Sequence, residues 1–308
     1  MDMLEVGNDA FTVDEQKSHF ALWAMSKSTL MIGTNVPDMS DQTFDILTNK
    51  GLLAANQDDL GKPVALIQRY SNNFDLYGGP LAGGDYAVLM MNSKNATNEL
   101  SVDFSQLGIW TADVEDLWAG RKVQRKAKSY SASVPAHGNI ALRLSNVRND
   151  KHHKAPQFEY FDAASGKLSG TAKVQDCRGC ASGEKVGYLT ANGSVTITGI
   201  RTSEETQNVR FDYINCDIGY LADQRPNYRP AAISVNDGEP QVVNFPLSGY
   251  EWTLDVLEGF LVQLSGFNTN GENSLTIAGP EVDVATSDNA YGPDIDRVGI
   301  VAQSHGGS

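Results

Sequence analysis

The sequence predicts a mainly β protein with α/β structure at its start, followed by an antiparallel sheet and then a β-sandwich. Three observations predict this. Apolar runs without alternation are interleaved with helical periodicity over residues 1–63. Strict period-two alternation takes over from 64 to 146. From about 158 to 303, short β-branched and aromatic runs are separated by Gly, Asn and Pro, and no good helix interrupts them.

In the first segment, Asp2 to Val6 reads as the end of a strand. Thr12 and Glu15 make a capping box, in which each side chain satisfies a free N–H at a helix start. The helix then runs to about Lys27, with Val13, Phe20, Trp23 and Ala24 along one face. Leu30-Met31-Ile32 reads as a strand buried on both sides of a parallel sheet. Ser40 caps a second helix carrying Phe44 and Leu47, and Leu52-Leu53-Ala54 follows. Alternating strands and helices are the signature of α/β structure.

In the second segment Ala87, Leu89 and Met91 alternate with Tyr86, Val88 and Met90, and Ile140, Leu142 and Leu144 alternate with Ala141, Arg143 and Ser145. The polar stretch 147–157, with His152 and His153, reads as a linker. Strands expected in the third segment are Ser194–Ile197, Val209–Tyr213, Ala232–Val235, Val242–Phe245, Phe260–Leu264, Ser274–Ile277 and Val298–Ile300.

Composition narrows the partners. A net charge of −14 argues against nucleic acid, whose phosphates call for a basic surface. No run reaches the ~20 apolar residues that cross a bilayer, so no membrane partner is expected. Residues 1–30 lack the pattern of a signal peptide. Of the 3 cysteines, Cys177 and Cys180 form a CxxC pair among Gly and Ser, read as a small disulfide loop, and Cys216 is left over. A disulfide implies an oxidising, extracellular location. The sequons at Asn95 and Asn192 agree with secretion as glycosylation sites.

There is no GxSxG elbow, HExxH or Walker loop. The acidic pairs Asp58-Asp59, Glu204-Glu205 and Asp294/Asp296 are read as solvated surface. The chain does carry Asp2-Met3-Leu4-Glu5-Val6-Gly7-Asn8, then His19 to Ser28, Leu30-Met31-Ile32-Gly33, Ile46 to Lys50 and Ala55-Asn56-Gln57-Asp58. Gly79-Pro80-Leu81, Val114 to Trp118 and Val134 to Gly138 follow in order. These segments resemble the end of a glycoside hydrolase family 27 enzyme, the α-galactosidase family, over residues 1 to about 146. The resemblance implies the fold in full: an incomplete (β/α)8 barrel end, an antiparallel β-sandwich, then a second, jelly-roll-like β-sandwich. A complete barrel takes ~250 residues, so residues 1–63 cannot close one.

Retaining glycosidases need a nucleophile and an acid/base about 5 Å apart. In this family both lie upstream of the Asp-Met-Leu motif, which implies no catalytic residue in this chain, a missing N-terminal barrel segment, and no cofactor required for catalysis. Asp2 and Met3 match motif residues that line the galactose pocket; the alternative for Asp2 is a frayed terminal residue. Trp23 and His137 are read as helix packing and a turn.

The third segment resembles carbohydrate-binding module family 35 through Leu168 to Ala172, Cys177 to Cys180, Lys185 to Leu189, Asn244-Phe245-Pro246 and Gly292 to Val298. That resemblance implies a structural Ca²⁺, with Glu159, Asp162 and Asp296 as candidate ligands; the alternative is a salt link from Asp296 to Arg297 or another cation. Tyr188, Trp252, Asn289 and Tyr291 are the candidate sugar contacts, with core packing the alternative for each. The expected function is that of the C-terminal part of a retaining α-galactosidase, acting on galactose-containing oligo- or polysaccharides and unable to cut them alone. A sister specificity such as α-N-acetylgalactosaminidase, or a non-catalytic secreted carbohydrate-binding protein, is the alternative.

Overall fold

In the computed structural model the described residues are 3–8, 10–149, 157–218, 227–279 and 291–302. The chain divides into two compact units, Met1–Pro156 and Gln157–Ser308.

The first unit opens with three helices, α1 (Val13–Met25), α2 (Asp41–Leu47) and α3 (Lys50–Asn56). Thr12 and Glu15 close the expected capping box on α1, Ser40 caps α2, and the Asn49 side chain accepts from Leu52 N–H to start α3. Eight strands follow: β1 (Ala65–Tyr70), β2 (Phe74–Pro80), β3 (Tyr86–Asn92), β4 (Asn98–Asp103), β5 (Thr111–Asp116), β6 (Arg121–Ala127), β7 (Ser129–Val134) and β8 (Asn139–Arg148). Six of them form an antiparallel sheet in the order β1-β2-β3-β8-β5-β6, and β4 pairs with β7 separately.

The alternation along β3 explains this layering. Ala87 and Leu89 join Phe20, Ala24, Ile46 and Leu52 in a core between sheet and helices. Val88 and Met90, on the other face, join Leu100, Val102 and Val134 in a second core beneath β4 and β7. Fully burying each such Leu or Val contributes roughly 1.5–3 kcal/mol.

One reading of this unit needs correction. Leu30-Met31-Ile32 is not a strand buried on both sides: among the described residues it makes a single parallel bridge, Leu4 to Ile32, and Met31 and Ile32 are about half exposed. On α2, Phe44 points outward, while Thr43, Ile46 and Leu47 face inward. The short helix buries a different stripe from the one its largest apolar residue suggests.

Among the described residues the second unit is β apart from a 3-10 turn at Ala163–Ser165. Its strands are β9 (Phe158–Asp162), β10 (Lys167–Ser169), β11 (Lys173–Asp176), β12 (Glu184–Gly187), β13 (Ser194–Ile200) and β14 (Thr206–Ile214). They continue with β15 (Tyr228–Val235), β16 (Gln241–Pro246), β17 (Leu257–Ser265), β18 (Asn273–Ala278) and β19 (Asp294–Val301). One sheet runs β10-β13-β18-β15-β16; the other runs β11-β12-β19-β14-β17, with β9 also paired to β19. Between them lies one core, with Phe211, Tyr213, Phe245 and Phe260 in edge-on or tilted contact at its centre. This is a two-sheet sandwich, as the short β-branched and aromatic runs predict.

Candidate functional site

Tyr188 leaves β12 with φ of 58°, a left-handed backbone that a non-glycine residue adopts only when its surroundings hold it there. Thr171 Oγ1 donates to its carbonyl (2.8 Å), and Gly292 N–H donates to the carbonyl of Leu189 (2.7 Å). The turn before β19 is thus tied to the turn after β12. The rings of Tyr188 and Tyr291 meet edge-on, 5.8 Å between centroids.

Trp252 comes from the loop between β16 and β17. Asp255 closes that loop by accepting from Tyr250 and Glu251 N–H (2.7 and 2.9 Å), which holds its carboxyl below the usual range. A second clamp comes from the disulfide. Cys177 and Cys180 are joined, and Gly179 between them donates its N–H to the carbonyl of Thr253 (2.9 Å). A Cβ at Gly179 would stand 2.2 Å from the carbonyl oxygen of Leu254, so only glycine allows the approach. Trp252 also packs on a small cluster of Cys177, Cys180, Ile214 and the free, buried Cys216.

These three aromatic residues line one pocket of about 270 Å³, together with Gln175, Lys185, Arg229 and Asp294. The sequence pointed to the rings and missed the charges. Lys185 is only 3 % exposed; its ammonium donates to Asp294 Oδ2 and to the carbonyl of Trp252, each at 2.6 Å. Arg229 lays its guanidinium 4.6 Å from the centroid of the Trp252 ring, while Nε donates to Asp217 (3.2 Å) and Nη1 to the carbonyl of Gly292 (3.2 Å). Burial pushes the Asp294 carboxyl above its ordinary value, against the pull of Lys185 and Arg229. Asp294 and Asp296 were read as solvated surface; both are buried, which is a correction. No local pattern marks a lysine inside a strand as the partner of an aspartate far along the chain.

The lining offers aromatic faces, an amide, two cations and one engaged carboxylate. Among the described residues that line it Asp294 is the one carboxylate, whereas retaining glycosidic chemistry uses a pair.

The other candidates fall elsewhere. Asp2 and Asn289 lie outside the described residues, as do His152 and His153. Met3 is about half exposed on the first unit. Asn95 and Asn192 sit in exposed turns. Trp23 packs partly buried beside His19, and His137 takes a turn conformation with φ of 56°.

Asp162 stands opposite Arg297 in the β9–β19 ladder, and Glu159, exposed, stands opposite Ile300. Asp296 accepts from Ala181 N–H (3.2 and 3.1 Å), and burial, aided by Asp212 and Asp162, pushes its carboxyl up to about 6. Arg297 pairs with Asp212 (2.7 Å). Among the described residues no three His, Cys, Asp or Glu side chains converge to hold a metal ion.

Comparison with known proteins addresses the first unit most directly. Residues 1–58 match the family "Alpha galactosidase A", and residues 71–144 match "Alpha galactosidase C-terminal beta sandwich domain". The first unit belongs to glycoside hydrolase family 27, the α-galactosidases. Its relatives include the probable alpha-galactosidase D of Aspergillus flavus, 34 % identical over 164 residues, covering 51 % of this chain and 25 % of that protein. The probable alpha-galactosidase D of Aspergillus fumigatus is 25 % identical over 341 residues, covering 81 % of this chain and 53 % of that protein. The chain thus spans between a quarter and about half of these relatives. Among solved structures, alpha-galactosidase I from Mortierella vinacea covers 49 % of this chain and 40 % of its own, with 26 % identity and a TM-score of 0.47. In the α-galactosidase unit the matched residues make up the three helices and nearly all of the eight-stranded sandwich.

Proposed function

We propose that this chain is the C-terminal part of a retaining α-galactosidase that holds carbohydrate and does not itself cut it, with the second unit as its sugar-binding module. One observation carries the binding half of this reading. Tyr188, Trp252 and Tyr291, separated widely in sequence, line the same pocket of the second unit. Aromatic faces with an amide and charged groups around them suit the apolar side and the hydroxyls of a pyranose. The catalytic half rests on family resemblance, which puts the carboxylate pair upstream of the matched residues. Secretion is part of the proposal, supported by the Cys177–Cys180 disulfide. Among the described residues no helix is long and apolar enough to cross a membrane.

The 308-residue chain is expected to leave p-nitrophenyl α-galactoside unhydrolysed yet migrate more slowly in a native gel containing galactomannan. Tyr188→Ala, at an exposed ring, should weaken that retardation about five-fold, equivalent to ~1 kcal/mol. Turnover of the chromogenic substrate would overturn the catalytic half. Retardation unaffected by Tyr188→Ala and by Tyr291→Ala would overturn the binding half.

A further inference from the structure

We propose that the crevice between α1, α2 and the β5–β6 turn of the α-galactosidase unit is a second sugar-binding site, with Trp118 as its platform and a neutral pyranoside as its ligand. The crevice encloses about 360 Å³ and is lined by Lys17, Gln42, Asp45, Ile46, Asn49 and Trp118. That volume lies within the range of small-molecule sites and accommodates a sugar ring.

The Trp118 ring is fixed before any ligand arrives. Its Nε1–H donates to Asn139 Oδ1 (2.8 Å), Asn139 Nδ2 donates to Ser18 Oγ (3.2 Å), and Ser18 donates to the carbonyl of His137 (2.7 Å). Its backbone N–H donates to Asp116 Oδ1 (2.8 Å). Helix α3 closes on the same turn at Gly51, where a Cβ would stand 2.9 Å from the carbonyl oxygen of Leu117. A ring locked in this way loses little side-chain freedom when something stacks on it.

The polar groups around it have hydrogen-bonding capacity to spare. Gln42 and Asp45 lie three residues apart on α2, hence on one face. Asn49 spends its Oδ1 on the Leu52 N–H (2.9 Å), and its amide NH₂ makes no bond among the described residues. Lys17 holds its ammonium 5.7 Å from the Trp118 centroid, which shows that the ring attracts positive charge at its face. The C–H bonds on the apolar side of a pyranose carry partial positive charge and meet the same attraction, while amides, carboxylate and ammonium take the hydroxyls. With one cation and one anion in the lining, the crevice has no net charge to recruit an ionic ligand. A neutral polyol ring is the chemistry that matches.

This site shares no residue with the pocket of the second unit, so the two can fail separately. The test uses the full 308-residue chain and soluble galactomannan, read by the four tryptophan indole N–H signals in ¹H–¹⁵N NMR. Trp118→Phe keeps the packing and assigns the Trp118 signal by its loss. The expected result is a shift of that signal on titration, in the parent and also in Tyr188→Ala. Gln42→Ala/Asp45→Ala, on exposed positions of α2, should raise the midpoint of the shift at least three-fold with an unchanged melting temperature. A Trp118 signal that stays in place at saturating galactomannan overturns the site, whether or not Trp252 shifts. A midpoint indifferent to the double substitution overturns it equally.

Discussion

His19 shows how a single residue couples stability to acidity. Its Nε2 accepts the Glu5 N–H at 3.0 Å, and the ring stacks between Phe11 and Trp23, so it must be neutral in the folded chain. Burial lowers its pKa from the ordinary 6.5, against the opposing pull of the Glu5 carboxylate. A histidine depressed on folding leaves the unfolded chain binding more protons. Its contribution is therefore complete above pH 6.5 and is lost as the pH falls below that value toward the folded pKa. Urea midpoints measured from pH 7.5 to 5 should decline for the parent and decline less for His19→Gln, whose amide oxygen can still accept from Glu5. Equal slopes would show that the ring's neutrality carries no energetic weight.

At the scale of elements, the seven strands expected after residue 158 are all present, because β-branched and aromatic runs set between turn residues are written locally and need no knowledge of partners. The caps on α1 and α2 were legible for the same reason. What failed was the burial of Leu30-Met31-Ile32, because an apolar run without alternation does not say whether neighbouring elements cover it. At the site, the rings were legible because aromatics in loops are unusual, whereas Lys185 and Arg229 look like ordinary strand residues until Asp294 and Asp217 close on them. The disulfide loop is the element whose removal is most informative. Cys177→Ser/Cys180→Ser frees only a short loop, so loop-closure entropy predicts a loss of about 2 kcal/mol. Because Gly179 holds Thr253, galactomannan binding should weaken beyond what that loss alone produces. Undiminished binding in the double variant would uncouple the clamp from the pocket.

For the molecule as a whole, the core of the second unit consists entirely of residues from 161 to 300. A fragment covering 157–308 should therefore give a dispersed amide spectrum and its own cooperative thermal transition. A collapsed spectrum would mean that this core is insufficient alone. In the α-galactosidase unit, apolar side chains are left uncovered around the bridge from Leu4 to Ile32, where Met3, Met31 and Ile32 are about half exposed.

That bridge has a chemical consequence. Met3 and Met31, which flank it, are about half exposed, whereas Met25 and Met90 are sealed in cores. Thioether oxidation follows access, so dilute peroxide should convert the first two to sulfoxides well ahead of the others. Peptide mass mapping would then turn two methionines into a footprint of that edge, one that fades if anything comes to cover it.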